Sequence, residues 1–556
     1  MAKTGGNGKV VVIGLDGGSF AVIDPLIKEG KLPNIARLIE EGVRGDLEST
    51  VPPVTGPAWA SFMTGKSPGA HSLFDFVKRV PNESARQIVN YNHIKSKTLW
   101  SILSEQGKKI GIINVPITYP PSEVSGFLIS GMLTPSIQSQ YTYPASLSQE
   151  LEAKFGQYVL DIWWQHYGPK RIKRFLQDLM DCTNKRGKIA LYLMESREWD
   201  LFMTVFIGMD RIQHALWNFL FPLDLRNLSP KEEEIRDLII EYYQLVDSII
   251  GKLVAAVDGN GNLVIMSDHG FGPLNGKLYI NKWLEDLGLL TYDRTKINRY
   301  RTTHRLASLL RSIVSNMDLL RLRKMLMIAK ARETRTTCGF LDCIDWSRTV
   351  AYAASNTEQG IYLNLEGREP YGIVKPGGDW EETRDFIIEK LRELKHPETK
   401  EKLASRIYKR EDIYSGPYVN DAPDIIFLLR EGQYLADVQP SNYLIERPSW
   451  KTGTGTHRME GVFIGYGRDI RNGIHISNAR IIDVAPTVLN LMNVPIPDDM
   501  DGRVLTEIFA VHFLKDNPPL YVGPSDQVDS DKEADGLYSD SESAHLKEQL
   551  KGLGYL

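Results

Sequence analysis

Three segments of this chain have the pattern of strands buried on both faces, and each is followed by acidic or histidine side chains. The runs are residues 9–15, 200–209 and 262–267, and they lead to Asp16, Asp210 and Asp268. Nearly continuous apolar runs of this length are typical of a parallel sheet with helices on both faces. Ligands bind outside the carboxyl ends of the strands in such sheets. The pattern therefore predicts an α/β fold with a doubly wound, mostly parallel sheet and a site at one edge.

A set of metal-binding residue types recurs at these expected strand ends. Six acidic and histidine side chains, each expected to follow a parallel strand, form the set together with one hydroxyl: Asp16, Asp210, His214, Asp268, His269, His457 and Thr55. Asp210 and His214 are four residues apart, so one helical turn would place them on the same face. Alone, an aspartate that closes a strand is unremarkable. Two clusters of carboxylate and imidazole groups, together with one hydroxyl, are however the components of a two-metal site for phosphoryl or sulfuryl transfer.

Thr55 precedes Pro57 in a stretch that favours the start of a helix. Proline suits the first helical position, which would place Thr55 near the N-terminus of that helix. Backbone N–H groups there could stabilise negative charge on an oxygen. A threonine hydroxyl is a weak nucleophile until a metal or a base activates it. We therefore expect Thr55 to be the nucleophile, with a helix cap as the alternative role.

Several short motifs, taken in order, resemble one family. They are Gly14-Leu-Asp16-Gly, Thr55-Gly-Pro, Asp210-Arg-Ile-Gln-His214, Ser267-Asp268-His269-Gly-Phe-Gly and Gly453-Thr-Gly-Thr-His457. The chain resembles the alkaline phosphatase superfamily, in the branch of type I phosphodiesterases and nucleotide pyrophosphatases, over roughly residues 9–507. The resemblance implies that Asp16, Thr55, Asp268 and His269 hold one metal, and that Asp210, His214 and His457 hold the other. Zinc suits these nitrogen and oxygen donors, and manganese or iron would also fit.

Residue patterns along the chain, together with this resemblance, predict a domain organisation. Residues 1–514 would form an alkaline phosphatase-like catalytic domain, with helical cap insertions at about 136–197 and 296–340. Residues 515–556 would form an acidic linker and a short helical tail, which could dock on the protein or on a partner.

One position departs from the family pattern. The asparagine expected directly after Thr-x-Pro, where it would donate to a phosphoryl oxygen, is Ala58 here. The sequence therefore leaves several functions open. They are a phosphodiesterase or nucleotide pyrophosphatase with a phospho-threonine intermediate, a phosphomonoesterase or phosphotransferase with the same metals, and a non-catalytic membrane-surface or binding protein. Sulfatase activity is disfavoured, because Thr55 cannot mature to formylglycine.

Length, charge and cysteine content limit the function classes and the compartment that the sequence favours. The chain has 556 residues, enough for a large core, and its net charge of −4 argues against general nucleic-acid binding. Three cysteines and the absence of a secretory apolar region near the N-terminus favour the cytoplasm. Cys338 and Cys343 could pair, or could be bystander thiols.

Residues 299–332 carry seven arginines and two lysines against one acid, Asp318, with apolar residues at helical spacing. Three interpretations remain: a solvated basic face, an electropositive entrance for a small phosphate ester, or peripheral contact with an anionic membrane.

Overall fold

A computed structural model describes residues 8–80, 86–221, 228–257, 259, 261–303, 339–450, 453–525 and 538–555. Cys338 and most of the basic segment 299–332 lie outside these ranges, so the interpretations of both stay predictions. Cys182 and Cys343 are both buried.

A nine-stranded sheet forms the centre of the molecule. Its strands, in spatial order, are β20 (Ile474–Arg480), β2 (Val43–Glu48), β19 (Glu460–Gly467), β9 (Asn262–Met266), β1 (Val10–Leu15), β8 (Leu201–Phe206), β5 (Ile110–Ile113), β6 (Gly126–Ile129) and β7 (Thr142–Tyr143). The run from β9 to β6 is parallel, whereas β19 pairs antiparallel with both of its neighbours. Every residue of β1, β8 and β9 is buried, as strands covered on both faces require. The α/β fold with a mostly parallel sheet, expected from the apolar runs, is confirmed.

The helices differ widely in length. In chain order they are α1 (Phe20–Lys28), α2 (Pro33–Glu40), α3 (Thr55–Thr64), α4 (Pro68–His71), α5 (Leu99–Glu105), α6 (Ser146–Phe155), α7 (Ile172–Ser196), α8 (Gly208–Leu220), α9 (Pro230–Ala255), α10 (Ile280–Asp286), α11 (Gly378–Glu393), α12 (Arg410–Ile413), α13 (Val484–Leu491), α14 (Val511–Asp516) and α15 (Asp540–Leu553). Residues 294–303 are also helical. The long helices α7 and α9 pack against each other, and α7 also contacts β5 and β8. No helix among the described residues is long and apolar enough to cross a membrane.

A second sheet of seven strands has its own apolar core. Its strands are β12 (Ala351–Tyr352), β13 (Gly360–Leu363), β15 (Ile425–Leu429), β16 (Tyr434–Asp437), β11 (Gly276–Tyr279) and β17 (Ile445–Glu446), with β14 (Ala404–Lys409) paired to β15. The division into a catalytic domain and cap insertions stays a prediction.

Three short two-stranded pairs complete the sheet structure. They are β10 (Gly270–Pro273) with β18 (Gly455–Arg458), β3 (Val77–Arg79) with β4 (Arg86–Ile88), and β21 (Ile496–Pro497) with β22 (Tyr521–Val522). The first pair matters most for the site, because β10 begins directly after His269.

Candidate metal centre

The carboxyl ends of three neighbouring strands bring the aspartates together. β1 lies between β8 and β9 in parallel register, so the three strands end at the same edge of the sheet. Asp16 directly follows β1, Asp268 lies two residues beyond β9, and Asp210 lies in the first turn of α8, just after β8. Asp210 and His214 do lie one turn apart on α8, as their spacing predicts.

His457 reaches the same place by a different route. It was expected after a parallel strand, and this expectation is wrong, because His457 lies inside β18. That strand pairs antiparallel with β10, opposite Phe271. The pairing stacks the rings of His457 and His269 with their centroids 3.6 Å apart.

The side chains form two adjacent clusters that could each hold a metal ion. Asp210, His214 and His457 form one, and Asp16, Asp268 and His269 form the other; all six residues are buried. In the first cluster, Asp210 Oδ1 lies 3.3 Å from the Nε2 atoms of both histidines. In the second cluster, His269 Nε2 lies 3.2 Å from Asp268 Oδ2 and 4.0 Å from Asp16 Oδ1. The two clusters contain six of the seven residues that the resemblance implied as ligands, and Thr55, the seventh, is in neither of them. Their role as metal ligands stays a prediction.

Each aspartate has one oxygen held by the protein and one without a partner. Trp59 Nε1 donates to Asp16 Oδ2 at 3.2 Å, and the Gly17 amide donates to Asp268 Oδ1 at 3.1 Å. Arg211 donates to Asp210 Oδ2. Within the part of the chain that the structure describes, the remaining oxygens are buried without a hydrogen-bond partner; they are Asp16 Oδ1, Asp268 Oδ2 and Asp210 Oδ1. A buried carboxylate oxygen without a partner is costly, and these three face the histidine nitrogens.

The histidine rings are oriented by main-chain carbonyls. The Nδ1 atoms of His214, His269 and His457 lie 3.2, 3.1 and 2.8 Å from the carbonyl oxygens of Gly455, Gly270 and Pro53. An imidazole that donates from Nδ1 presents a lone pair at Nε2, as a metal-bound histidine does. The Nε2 atoms of His214 and His457 are only 2.9 Å apart. Two lone pairs at that distance repel, so a cation between them would suit this arrangement.

The pKa shifts also show a site that favours added positive charge. Burial, reinforced by repulsion from Asp268, raises the pKa of Asp16 well above its ordinary value, and burial raises the pKa of Asp268 to about 8. For Asp210, burial opposes ionisation, but His214 and Arg211 outweigh it and hold the pKa well below its usual range. Burial lowers the pKa values of His269 and His457. Buried carboxylate oxygens beside imidazole nitrogens are the groups that a divalent cation stabilises. The residues therefore fit divalent ions.

Thr55 lies next to the second cluster. Its Oγ1 is 3.2 Å from His269 Nε2. Helix α3 begins at Thr55, so Pro57 occupies the third helical position. The sequence had suggested the first position for Pro57. The Ala58 amide already bonds to the Val54 carbonyl within the helix. The amides of Thr55 and Gly56, in the first turn, are the ones without an intrahelical acceptor.

Two residues at the site, Arg211 and Tyr555, were not identified from the sequence. Arg211 is buried between Asp210 and Asp161, with its Nη2 2.8 Å from Asp161 Oδ2, and it adjoins Asp210 in the chain, which was a usable signal. Tyr555, near the C-terminus, lies beside both histidines of the first cluster, and no local pattern indicates this.

Comparison with protein families identifies the family of this chain. The family described as type I phosphodiesterase / nucleotide pyrophosphatase matches residues 10–458. No curated protein sequence matches the chain.

Among solved structures, phosphonoacetate hydrolase from Sinorhizobium meliloti 1021, in complex with phosphonoformate, is 14% identical, with 86% of this chain and 94% of that chain covered and a TM-score of 0.51. An inactive variant of murine ectonucleotide pyrophosphatase / phosphodiesterase 5, in complex with AMP, is 14% identical, with 90% and 100% covered and a TM-score of 0.49. The likeness to phosphonoacetate hydrolase, at 14% identity, shows a shared fold. The family match covers most of the chain, and the chain therefore belongs to the type I phosphodiesterase / nucleotide pyrophosphatase family of phosphoester hydrolases.

Proposed function

We propose that the protein is a two-metal phosphodiesterase in which Thr55 is the nucleophile. The observation that carries the proposal is the pair of three-residue clusters beside the Thr55 hydroxyl, each with carboxylate oxygens and imidazole lone pairs directed inward. Asp16, Thr55, Asp268 and His269 would hold one ion, and Asp210, His214 and His457 the other. Divalent ions there, with zinc the best match to the donors, would lower the pKa of the hydroxyl and neutralise charge on the leaving oxygen.

The chain's own residues would act in a defined order. Thr55 Oγ1 gives its proton to solvent water and attacks phosphorus, the bond from phosphorus to the leaving-group oxygen breaks, and that oxygen takes a proton back from water, so that the net proton count is unchanged. Water then cleaves the phospho-threonine ester and restores the hydroxyl. The first-turn amides of Thr55 and Gly56 lie where the N-terminus of α3 would stabilise the phosphoryl oxygens, since Ala58 offers no side-chain donor.

A substrate panel tests this proposal and separates it from the monoesterase alternative. Protein stripped of metal and reloaded with zinc would be assayed on bis(p-nitrophenyl) phosphate, p-nitrophenyl phosphate and a nucleotide p-nitrophenyl ester. A diesterase should show kcat/KM at least about tenfold higher on a diester than on the monoester, a difference of about 1.4 kcal/mol in transition-state stabilisation. The opposite ratio would assign a monoesterase.

Matched variants tie the activity to the clusters. The double variant Asp268→Ala, His269→Ala should lose nearly all activity and about one of two bound ions, measured by elemental analysis. His475→Ala, an exposed histidine on β20, should keep both. Active wild-type protein without bound metal would contradict the proposal.

A further inference from the structure

The last described segment of the chain packs onto the body of the molecule. Ser539 caps helix α15 and forms a reciprocal capping box with Glu542. Leu546, Leu550 and Leu553 are buried in the main core, at the i, i+4, i+7 spacing of one helix face. The side chain of Glu542 also accepts a hydrogen bond from Ser139 at 3.3 Å. The helix is therefore docked along its length.

Gly554 ends the helix and directs the chain into the metal centre. Its φ of +80° is in the left-handed region, which glycine adopts at little cost and other residues rarely adopt. The next residue, Tyr555, is only 3% exposed. The turn at Gly554 thus converts a surface helix into an inward-pointing aromatic side chain.

Tyr555 occupies the space in front of the candidate metal centre. Its hydroxyl lies 3.4 Å from His214 Nε2 and 3.5 Å from His457 Nε2, and it also interacts with the Thr55 side chain. Its ring is parallel to the ring of Phe76, with the centroids 4.9 Å apart. The phenol hydroxyl therefore lies between the histidines of the first cluster and the proposed nucleophile.

Three consecutive polar residues hold the main chain of this segment. Ser355 Oγ donates to the Tyr555 carbonyl at 3.3 Å, Thr357 Oγ1 lies 3.3 Å from the same oxygen, and Asn356 Nδ2 donates to the Gly554 carbonyl at 3.2 Å. All three residues are buried. Asn356 is itself fixed, because its Oδ1 accepts from the Val438 amide at 2.9 Å. The insertion of Tyr555 thus has specific partners at both its ring and its backbone.

We propose that residues 539–555 are a tethered plug of the active site. The ring of Tyr555 lies against Phe76, in the place that the ring of an aryl or other ring-bearing phosphate ester would occupy. The inference rests on the proposed function for the identity of the substrate. The ring of Tyr555 and the leaving group of a substrate cannot occupy one space, so turnover requires the plug to withdraw. Because the plug is part of the same chain, it binds intramolecularly at an effective concentration on the order of millimolar, and it competes strongly with free substrate.

Removal of the plug should activate the enzyme. Tyr555→Ala keeps α15 docked, and a chain ending at residue 538 removes the whole segment. Both should raise kcat/KM for bis(p-nitrophenyl) phosphate by about tenfold or more, since a competing group is gone. A peptide with the sequence of residues 539–556 should inhibit the shortened enzyme competitively. Tyr371→Ala, at an exposed tyrosine between β13 and α11, is the control and should change neither property.

A binding measurement separates failure of the plug from failure of the proposed function. In a Thr55→Ala background, calorimetry with phenylphosphonate, a ring-bearing anion that cannot be hydrolysed, should show tighter binding when Tyr555→Ala is added. Tighter phenylphosphonate binding, together with no turnover of any ester by Tyr555→Ala protein that keeps Thr55, would uphold the plug and reject the proposed function. Hydrolysis and phenylphosphonate affinity that stay unchanged or fall in Tyr555→Ala would overturn the plug, because Tyr555 would then not exclude ligand.

Discussion

At the scale of single residues, each candidate ligand uses one polar atom for a hydrogen bond to the protein and directs its other polar atom into the metal centre. Asp16, Asp210 and Asp268 each use one oxygen to accept a hydrogen bond from the protein and leave the other oxygen facing the histidines. The histidines use Nδ1 for orientation and present Nε2. Supporting contacts of this kind fix both the tautomer and the direction of a metal ligand.

The hydroxyl of Thr55 provides the sharpest test at this scale. Thr55→Ala should lower kcat for an aryl phosphodiester by about a thousandfold or more, because covalent catalysis is lost, while metal content stays near normal. Thr55→Ser should retain part of the activity, because the hydroxyl remains. Steady-state kinetics and elemental analysis on the same preparations measure both effects. A rate for Thr55→Ala close to the wild-type rate would identify water as the attacking group.

At the scale of elements, His71 joins the short helix α4 to α3, which carries Thr55. Its Nε2 lies 2.9 Å from Ser61 Oγ, and its Nδ1 accepts from the Leu73 amide at 3.2 Å. Since Nδ1 accepts, Nε2 carries the proton and the ring is neutral. Burial lowers the pKa of His71 to about 3 from an ordinary 6.5.

This contact makes stability depend on pH in a predictable direction. Between about pH 6.5 and 3, the unfolded chain binds a proton at this position that the folded chain does not bind. Stability therefore falls as pH drops through that range, by up to about 1.4 kcal/mol per pH unit from this group alone. His71→Gln should be less stable than wild type at pH 7 but should lose stability less steeply toward pH 4.

Urea unfolding at several pH values measures this difference. His475→Gln, at an exposed position, is the control and should follow the wild-type curve. Parallel curves for His71→Gln and wild type would contradict the assignment of a neutral, buried ring.

At the scale of the whole molecule, the two clusters join parts of the chain that are far apart in sequence. The candidate ligands run from Asp16, after the first strand, to His457, near the end of the family match. Ions bound to these residues would connect the sheet edge, helix α8 and the β10–β18 pair. Binding only to the folded state stabilises that state by mass action.

Metal removal should therefore lower stability as well as activity. Chelation should reduce the Tm, and zinc at about 100 times its Kd should restore roughly 2.7 kcal/mol per site. His457→Ala should lose most of the response of the first cluster, whereas His475→Ala should keep it. Scanning calorimetry with and without zinc measures the shift. A wild-type Tm that is identical in chelator and in zinc would contradict metal binding at these residues.

The sequence by itself determined the central strands and the residues that follow them. Apolar runs of strand length, and the four-residue spacing from Asp210 to His214, are local patterns that report directly on burial and on helical periodicity. The pattern thus indicated that Asp16, Asp210 and Asp268 would meet, because parallel strands end at a common edge.

The tertiary structure alone decided how the remaining groups reach that edge. The pairing of β18 with β10 sets the position of His457, and this register depends on contacts between segments distant in the chain, which no local pattern encodes. Trp59 and Gly17 reach Asp16 and Asp268 only through packing. The sequence likewise predicted a helical tail that could dock, but only the folded chain, with its turn at Gly554, places Tyr555 among the histidines.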